Sequence, residues 1–557
     1  MTTNPAAQAA PTGSPAARFA ELRKRHPRFV YERFTIGRAG HALRAQFRFR
    51  LEPEIEFAPE IIFEQVEWAR VEEMPRATLE TYFFHLGLVE MLSYWKAACS
   101  PEIVVRAGAL STEQTAWWMN LLRHGMGEYF YVNQIDFRAA DLVRIISAPR
   151  ALTSPAVIPR SAATRDLLLN PWPQKGEKQI PPLRQAQGRN DTEKDLVLTS
   201  GGKDSAVTLE LLREAKVGQA FLPASKSTGL EACTYFDCLL LNPTEAALAV
   251  AKQALLSQGV GGQAGCAKPI IVRRTIDKRL LELNAAGYLN GHTPFSALLA
   301  FLGVTVAALF GHRRVIVSNE RSAEEATVEY LGAAINHQYS KTFEFETAFR
   351  EYCERYLIPR EQQIPRGVYP ERSRRARDDI AGVEYFSLLR PLYELQIAER
   401  FSKHREYFPL FRSCNRGMAT NAWCGRCPKC LFVWTVLYPF VEREQLLGIF
   451  GADLFASEGA TELLRALLGL DAAKPFECVG TKEETLAALH LCVEKYKQQS
   501  LPLPPALGAI EQSVFASRSD LPALAQRILV SWSDQHHVPT ELTATLRAAR
   551  NPSIPQG

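Results

Sequence analysis

The stretch LVLTSGGKDSAVTLELL, Leu196–Leu212, decides how the rest of the chain is read. A short apolar run reads as a strand, the run from Ala206 carries apolar residues at helical spacing, and between them stands Ser200-Gly201-Gly202-Lys203-Asp204-Ser205. Two glycines let the backbone turn tightly and approach a ligand without a Cβ in the way. The following helix aims its free N–H groups and positive dipole end at the same spot. With Ser200, Lys203 and Ser205 as donors, the loop is an anion cradle sized for phosphates. It is not a Walker A loop, because no glycine stands at the required distance before Gly202-Lys203 and Asp204 occupies the Ser/Thr position.

Outward from the loop, strand and helix alternate. LVLTS, FDCLLLN, KPIIVRRT and RRVIVSN read as strands; AVTLELLREA, AALAVAKQAL and the run from Phe295 to Phe310 read as helices. The expectation is an α/β fold with a parallel sheet and crossover helices, whose ligands bind beyond the carboxyl ends of the strands, where SGGKDS lies. Asn242, directly after FDCLLL, is placed either to meet adenine or ribose or to cap the next helix. Asn319 and Glu320 follow RVIVS at the next such edge. A magnesium ion bridging nucleotide phosphates would use Asp204 or Glu320.

On this pattern residues 195–410 form the nucleotide domain, with low-complexity insertions at 217–233 and 364–379. Residues 29–147 read as a self-standing α+β domain: FRFRLEPEIEFAPEIIF gives two extended pieces broken by Pro53 and Pro59, and TLETYFFHLGLVEMLSYWKAAC a helix. Its aromatics, Trp117, Trp118, Tyr129, Phe130 and Tyr131, are the makings of a core. Residues 1–28, rich in Ala, Pro and Thr, read as a disordered leader with no secretory signal. Residues 148–194 hold no period and read as a linker.

The chain has 557 residues, 46% of them hydrophobic, enough for roughly three or four domains. Its 65 basic and 60 acidic residues leave a net charge of +5, which is not the balance of a protein that wraps nucleic acid. The longest apolar run, Phe295–Phe310, falls short of the roughly 20 residues of a membrane helix, so no membrane association is expected. Eleven cysteines at irregular spacing argue against a disulfide framework and for the cytoplasm.

Four of those cysteines cluster. FRSCNRGMATNAWCGRCPKCLFVW places Cys414, Cys424, Cys427 and Cys430 in one loop, followed to residue 557 by helical sequence. Four thiolates so spaced suit a closed structural zinc site, and the same ligands can hold an iron–sulfur cluster. His292 in LNGHTPF and His337 in INHQYSK sit in polar loops after apolar elements and are candidates for proton transfer, or ordinary hydrogen-bonding histidines. Tyr339 and Lys341 are candidates for an acid or for binding carboxylate and phosphate. Cys266 and Cys478 are reactive by type alone.

SGGKDS resembles the SGG-x-DS pyrophosphate (PP) loop of the adenine-nucleotide α-hydrolases, HUP-like proteins that cleave ATP to AMP and pyrophosphate. The resemblance implies that the loop grips the leaving pyrophosphate while a substrate oxygen or sulfur attacks the α-phosphorus. A PP-loop followed by a four-cysteine loop like CGRCPKC also occurs in the 7-cyano-7-deazaguanine synthases, which are much shorter. The closer resemblance spans most of the chain: FTIGRAGHALRAQFRF, YFFHLGLVEMLSYWKAACSPEIVVRAG, LNGHTPFSALLAF, VIVSNERSAEEATV, INHQYSKTFEFE, SCNR, WCGRCPKC and KPFECVGTKEE are similar to the bacterial UDP-N-acetyl-α-D-muramoyl-L-alanyl-L-glutamate epimerases of the MurL type. It implies ATP and magnesium in, AMP and pyrophosphate out, a UDP-MurNAc-dipeptide as substrate, and inversion of its terminal glutamate through an acyl-adenylate. Another carboxylate- or RNA-modifying enzyme on the same nucleotide fold, and a nucleotide-binding regulator without turnover, are the alternative readings.

Overall fold

The computed structural model describes residues 13–147, 194–220, 236–256, 269–357, 383–470 and 473–548. Thirteen strands lie among them: β1 Arg28–Ala39, β2 Ala42–Leu51, β3 Ile55–Phe57, β4 Glu60–Phe63, β5 Glu102–Val105, β6 Arg144–Ser147, β7 Asp195–Leu198, β8 Phe236–Leu241, β9 Ile270–Thr275, β10 Arg314–Val317, β11 Val328–Tyr330, β12 Ala333–Ile335 and β13 Glu384–Ser387. All but the β11–β12 hairpin join one sheet, in the order β13-β10-β7-β8-β9-β4-β2-β1-β5-β6 with β3 paired to β2.

The segment from β13 to β9 is parallel throughout. Counted from β7, the second and third strands lie to one side and the fourth and fifth to the other, so the order reverses between β7 and β10. Helices Lys203–Ala220 and Glu245–Leu256 pack into one core, helices Phe295–Phe310 and Phe343–Tyr352 into another, on the opposite face. Such a reversal opens a crevice beyond the strand ends where doubly wound sheets bind ligands. The SGGKDS loop follows β7 and Asn319-Glu320 follow β10, so both flank that crevice.

The period of two along buried strands accounts for the two cores. Leu196, Val315 and Val317 enter the core that holds the Phe295 helix, while Val197 and Ile316 enter the other. A slip of one residue would exchange the two sets, so the register is tightly fixed. Helix Phe295–Phe310 lies close on the sheet, where a methyl on Gly303 would stand 2.8 Å from Val315 Cγ1. Gly311, at φ +80°, closes that helix in the left-handed conformation and lets the chain enter β10.

Three readings of the sequence are corrected. Residues 29–147 are not self-standing: β4 pairs antiparallel with β9, and helix Arg76–Trp95 shares a core with helix Phe295–Phe310. The stretch read as two extended pieces forms three strands, β2 to β4. Nor are residues 13–28 a disordered leader. Ser14 caps helix Pro15–Arg25, Leu22 is fully buried, and Arg23 donates to the carbonyls of Cys99 and Leu142, each at 2.7 Å. Residues 1–12, the linker from 148 to 193 and the insertion 364–379 lie outside the described residues, and of 217–233 only the last turn of helix Lys203–Ala220 is described. Helix Pro428–Leu437 carries Cys430, and helices Lys482–Gln498, Pro505–Ser513, Leu521–Leu529 and Thr540–Ala548 are among those that follow it. No helix among the described residues is long and apolar enough to cross a membrane.

Candidate active site

The loop after β7 is tied down by its own hydroxyls. Ser205 Oγ accepts from the Ser200 backbone N–H at 2.9 Å and lies 3.0 Å from Ser200 Oγ, and the Arg412 N–H donates to the Gly201 carbonyl at 2.6 Å. Gly201 is dictated by packing: a methyl there would come within 2.7 Å of Ala246 Cβ and 3.0 Å of the Ala247 nitrogen. Gly202 is not, since a methyl would meet nothing nearer than 3.6 Å. The loop is less open than the sequence suggests, with Lys203 and Ser205 each 2% exposed.

Lys203 pairs with two carboxylates, Asp204 and Glu394, the latter at the start of helix Glu394–Phe401 and 1% exposed. Burial opposes the lysine charge, but these two partners hold its pKa above the ordinary lysine range. Burial and the neighbouring Asp204 push Glu394 up to about 7. For Asp204 burial works against ionisation, and Lys203, Lys429 and Lys341 outweigh it, so its pKa is lowered. Lys429, between Cys427 and Cys430, donates its ammonium to the Cys478 carbonyl.

Lys341 connects this cluster to the histidines. Its Nζ lies 3.4 Å from Cys478 Sγ, and Cys478, Glu320 and Asp204 raise its pKa against the opposing effect of burial. Its charge also reaches His292 and His337. The two imidazoles are 6.3 Å apart, edge to face. Burial first, then neighbouring cations, drives His292 down to about 4 and His337 to about 3. His337 Nδ1 bonds Thr327 Oγ1 at 2.6 Å, while its Nε2 is buried without a partner. His292 Nδ1 lies 3.9 Å from Glu128 Oε2; burial lifts Glu128 to about 7 against the opposing pull of Lys96. Lys96 donates to the Gly291 carbonyl at 2.8 Å.

Other sequence candidates fall differently. Tyr339 donates to Glu344 and accepts from Asn120, both at 3.0 Å, so its hydroxyl is spent within the fold. Asn242, at φ 43°, exchanges two 2.8 Å bonds with the Arg274 backbone, and Thr244, not Asn242, caps the next helix at 3.2 Å. The Asn319 carbonyl accepts from Ser387 Oγ at 2.6 Å, and Glu320, 2% exposed, offers its carbonyl to Arg390. Glu394, Lys429, Glu128 and Lys96 escaped the sequence reading. Glu394, Glu128 and Lys96 come from elements distant in sequence and carry no motif, whereas Lys429 stands within CGRCPKC, where the cysteines alone drew the reading.

The four cysteines converge, every Sγ within 4.8 Å of the others. Cys414 and Cys427 Sγ are 3.8 Å apart, Cys424 and Cys430 3.7 Å, Cys427 and Cys430 3.4 Å. Tetrahedral metal–sulfur bonds set sulfurs about 3.8 Å apart, so the set fits one ion. Gly417 N–H donates to Cys414 Sγ at 3.2 Å and Cys430 N–H to Cys427 Sγ at 3.4 Å, the kind of support thiolates receive. Arg412, two residues before Cys414, donates its N–H to the Gly201 carbonyl, and a methyl on Gly202 would stand 3.6 Å from Ser413 Cβ, so this site backs the SGGKDS loop.

Comparison with known proteins places the chain. The MurL N-terminal domain family matches residues 20–239 and 238–362, and the MurL C-terminal domain family matches 410–517. A UDP-N-acetyl-alpha-D-muramoyl-L-alanyl-L-glutamate epimerase of Micromonospora sp. is 32% identical over 470 residues, 83% of this chain and 85% of that protein. Epimerases of the same name from Salinispora tropica and Xanthomonas oryzae pv. oryzae are 32% and 30% identical, covering 77% and 72% of this chain and the same shares of their own. No solved structure matches. With glutamate-epimerase relatives over most of its length and both MurL domains in order, the chain belongs to the MurL family of epimerases.

Proposed function

We propose that the protein inverts the terminal L-glutamate of UDP-MurNAc-L-Ala-L-Glu by adenylating its α-carboxylate with ATP, in the cytoplasmic stage of peptidoglycan precursor synthesis. The observation that carries this reading is the turn at Cys478, whose thiol lies 3.4 Å from Lys341 Nζ, whose carbonyl takes the Lys429 ammonium and whose neighbour Phe476 packs on His337 with ring centres 5.8 Å apart, while the Lys341 charge acts on both histidines and on Asp204. A nucleotide loop and a pair of proton carriers share one site.

The chemistry needs both. A glutamate Cα–H beside an ionised carboxylate is a very poor acid, because deprotonation would place two negative charges on adjacent atoms. Adenylation removes one of them, and the acyl carbonyl then accepts the carbanion charge as an enolate. The N–H groups at the start of helix Lys203–Ala220, with Ser200, Ser205 and Lys203, would bind the pyrophosphate. Gly202 fits this role, since nothing in the protein demands a glycine there and an approaching phosphate would. Asp204 and Glu320 would hold magnesium, which when bound neutralises phosphate charge. Asn319 would meet the nucleotide at the crevice, whereas the Asn242 amide is held by the Arg274 backbone. Lys341 would orient the carboxylate, His292 with Glu128 would carry a proton, and the unpaired His337 Nε2 would serve the enolate oxygen. Tyr339 would support the turn that carries Lys341.

For Cys414, Cys424, Cys427 and Cys430 the short sulfur distances favour one zinc ion over a polynuclear cluster, which spreads its ligands over several irons. Its contribution would be to hold the SGGKDS loop in place. The test is turnover in deuterated water with the UDP-muramoyl dipeptide. AMP, pyrophosphate and α-deuterated D-product should form together, and inversion without ATP would overturn the reading.

A further inference from the structure

Among the described residues two cysteines are only half-buried, Cys424 of the four-cysteine loop and Cys478. Cys478 stands in the turn before helix Lys482–Gln498, its thiol against Lys341 and its carbonyl taken by Lys429. Phe476, two residues before it, packs edge-on to His337 with ring centres 5.8 Å apart. Thiol, ammonium and imidazoles thus belong to one cluster.

That cluster leaves buried polar atoms without partners. His337 Nε2, Gln338 Oε1 and Glu477 Oε2 make no hydrogen bond, although His337 and Gln338 are 8% and 5% exposed. Each such atom costs about 1–3 kcal/mol unless something pairs with it. Glu477 adjoins Cys478 and His337 packs on Phe476, so a polar ligand bound here would find these atoms able to pair with it.

Inversion imposes a further requirement. A single group fixed on one face of Cα returns the proton to the face it came from, so two carriers are needed, one on each side. His292 with Glu128 supplies one. We propose that Cys478 is the other, transferring a proton at the face of Cα opposite His292.

This assignment rests on the adenylation reading. In the step, the carrier in its basic form bonds to the α-hydrogen while the C–H electron pair moves into the acyl carbonyl to give the enolate. The carrier in its acidic form then gives its proton to the opposite face as the carbonyl reforms. When Cys478 is the donor, its sulfur keeps the S–H electron pair 3.4 Å from the Lys341 ammonium. The two carriers end with exchanged protonation and are reset by solvent.

The test compares wild type, Cys478→Ser and His292→Gln in deuterated water with ATP and the L-glutamyl substrate, following AMP and pyrophosphate, α-deuterium and the D-product. Both variants should form AMP and pyrophosphate, yet lose D-product at least 100-fold. One of the two should still place deuterium at Cα of recovered L-substrate, because the carrier left on the L face exchanges without inverting; the other should place none. D-product from Cys478→Ser within threefold of wild type would overturn the assignment while leaving adenylation standing. Wild type that inverts without AMP and pyrophosphate would remove the reading beneath it as well. A measurement on wild type guards against misfolding of a variant: iodoacetamide should alkylate Cys478, identified by peptide mass, in step with loss of inversion, and ATP with substrate should slow both. Full inversion after complete alkylation of Cys478 would also overturn the assignment.

Discussion

The two ends of the site are built on opposite electrostatic plans. At the proposed nucleotide end Lys203 and Glu394 are enclosed, Asp204 keeps 26% of its side chain exposed, and both carboxyl groups pair with the one ammonium. At the other end His292 and His337 are held neutral by burial, and His337 keeps a nitrogen unpaired. A buried charge that loses its partner costs roughly 3–5 kcal/mol, a buried neutral group only about 1–3. The nucleotide end therefore has to stay compensated while the ligand is absent, and the proton-transfer end can wait unsatisfied. Lys341 couples the two plans: Cys478, Glu320 and Asp204 act on its charge, and its charge acts on both histidines.

The largest expected effect tests what holds the charged end in place. Serine at Cys427 should deplete folded protein and bound zinc together, because a structural zinc site contributes folding energy on the order of 10 kcal/mol. Metal analysis of wild type should find one zinc per chain. Iron, or folded Cys427→Ser at wild-type yield, would detach the cysteine loop from the role given to it. Next in size, Asp204→Ala should lower AMP and pyrophosphate release by about a thousandfold, the scale of removing a central electrostatic group. The fold should survive, because Lys203 retains Glu394. Turnover near wild type in that variant would place the nucleotide elsewhere. Third, Glu394→Ala should lower the free energy of unfolding by about 3 kcal/mol, the low end of the cost of breaking a buried pair, because Asp204 still faces Lys203. Glu394→Gln, which keeps an acceptor, should cost less. Urea unfolding of both variants checks the order.

Much of the charged end was legible and much of the neutral end was not, for a physical reason. SGGKDS and the four cysteines are local signals, with the chemistry and the turn that presents it within a few residues. The parallel strands were legible for the same cause, since LVLTS, FDCLLLN, KPIIVRRT and RRVIVSN each carry their own period. Glu394, Glu128 and Lys96 reach the site only through the folded topology. The antiparallel pairing of β4 with β9, which merges the N-terminal region into the parallel sheet, likewise has no local mark. Helix Pro15–Arg25 did carry a signal: Ser14 at the cap, Pro15 at the first turn and Arg23, Lys24 and Arg25 in the last. Alanine- and proline-rich composition on its N-terminal side outweighed it. Asn242 shows the converse, a residue type suited to a ligand that is occupied by its neighbour strand.

The smallest expected effect separates a neutral histidine that waits for a ligand from one that is merely structural. His85, 3% exposed, bonds the Thr81 carbonyl at 2.7 Å and Gln114 Nε2 at 3.2 Å, and burial lowers its pKa from 6.5 to about 4. Between those values the unfolded chain binds a proton that the folded one refuses, so its contribution to stability is full above pH 6.5 and is lost as pH falls toward 4. His337 behaves alike down to about 3. Glu128 and Glu394, raised from 4.5 to about 7, act in the opposite sense: their contribution is full below 4.5 and fades as pH rises through 7. His85→Gln should therefore flatten the acid limb of a stability–pH curve by no more than about 3 kcal/mol, and His337→Gln should flatten it too. ATP and the dipeptide substrate bring anions to His337 and not to His85. They should raise the folded pKa of His337 by about one unit, worth about 1 kcal/mol of acid stability that the wild type and His85→Gln recover and His337→Gln does not. Equal recovery in all three proteins would mean that His337 is as structural as His85, and the contrast between the two ends of the site would then have to rest on His292 and Cys478.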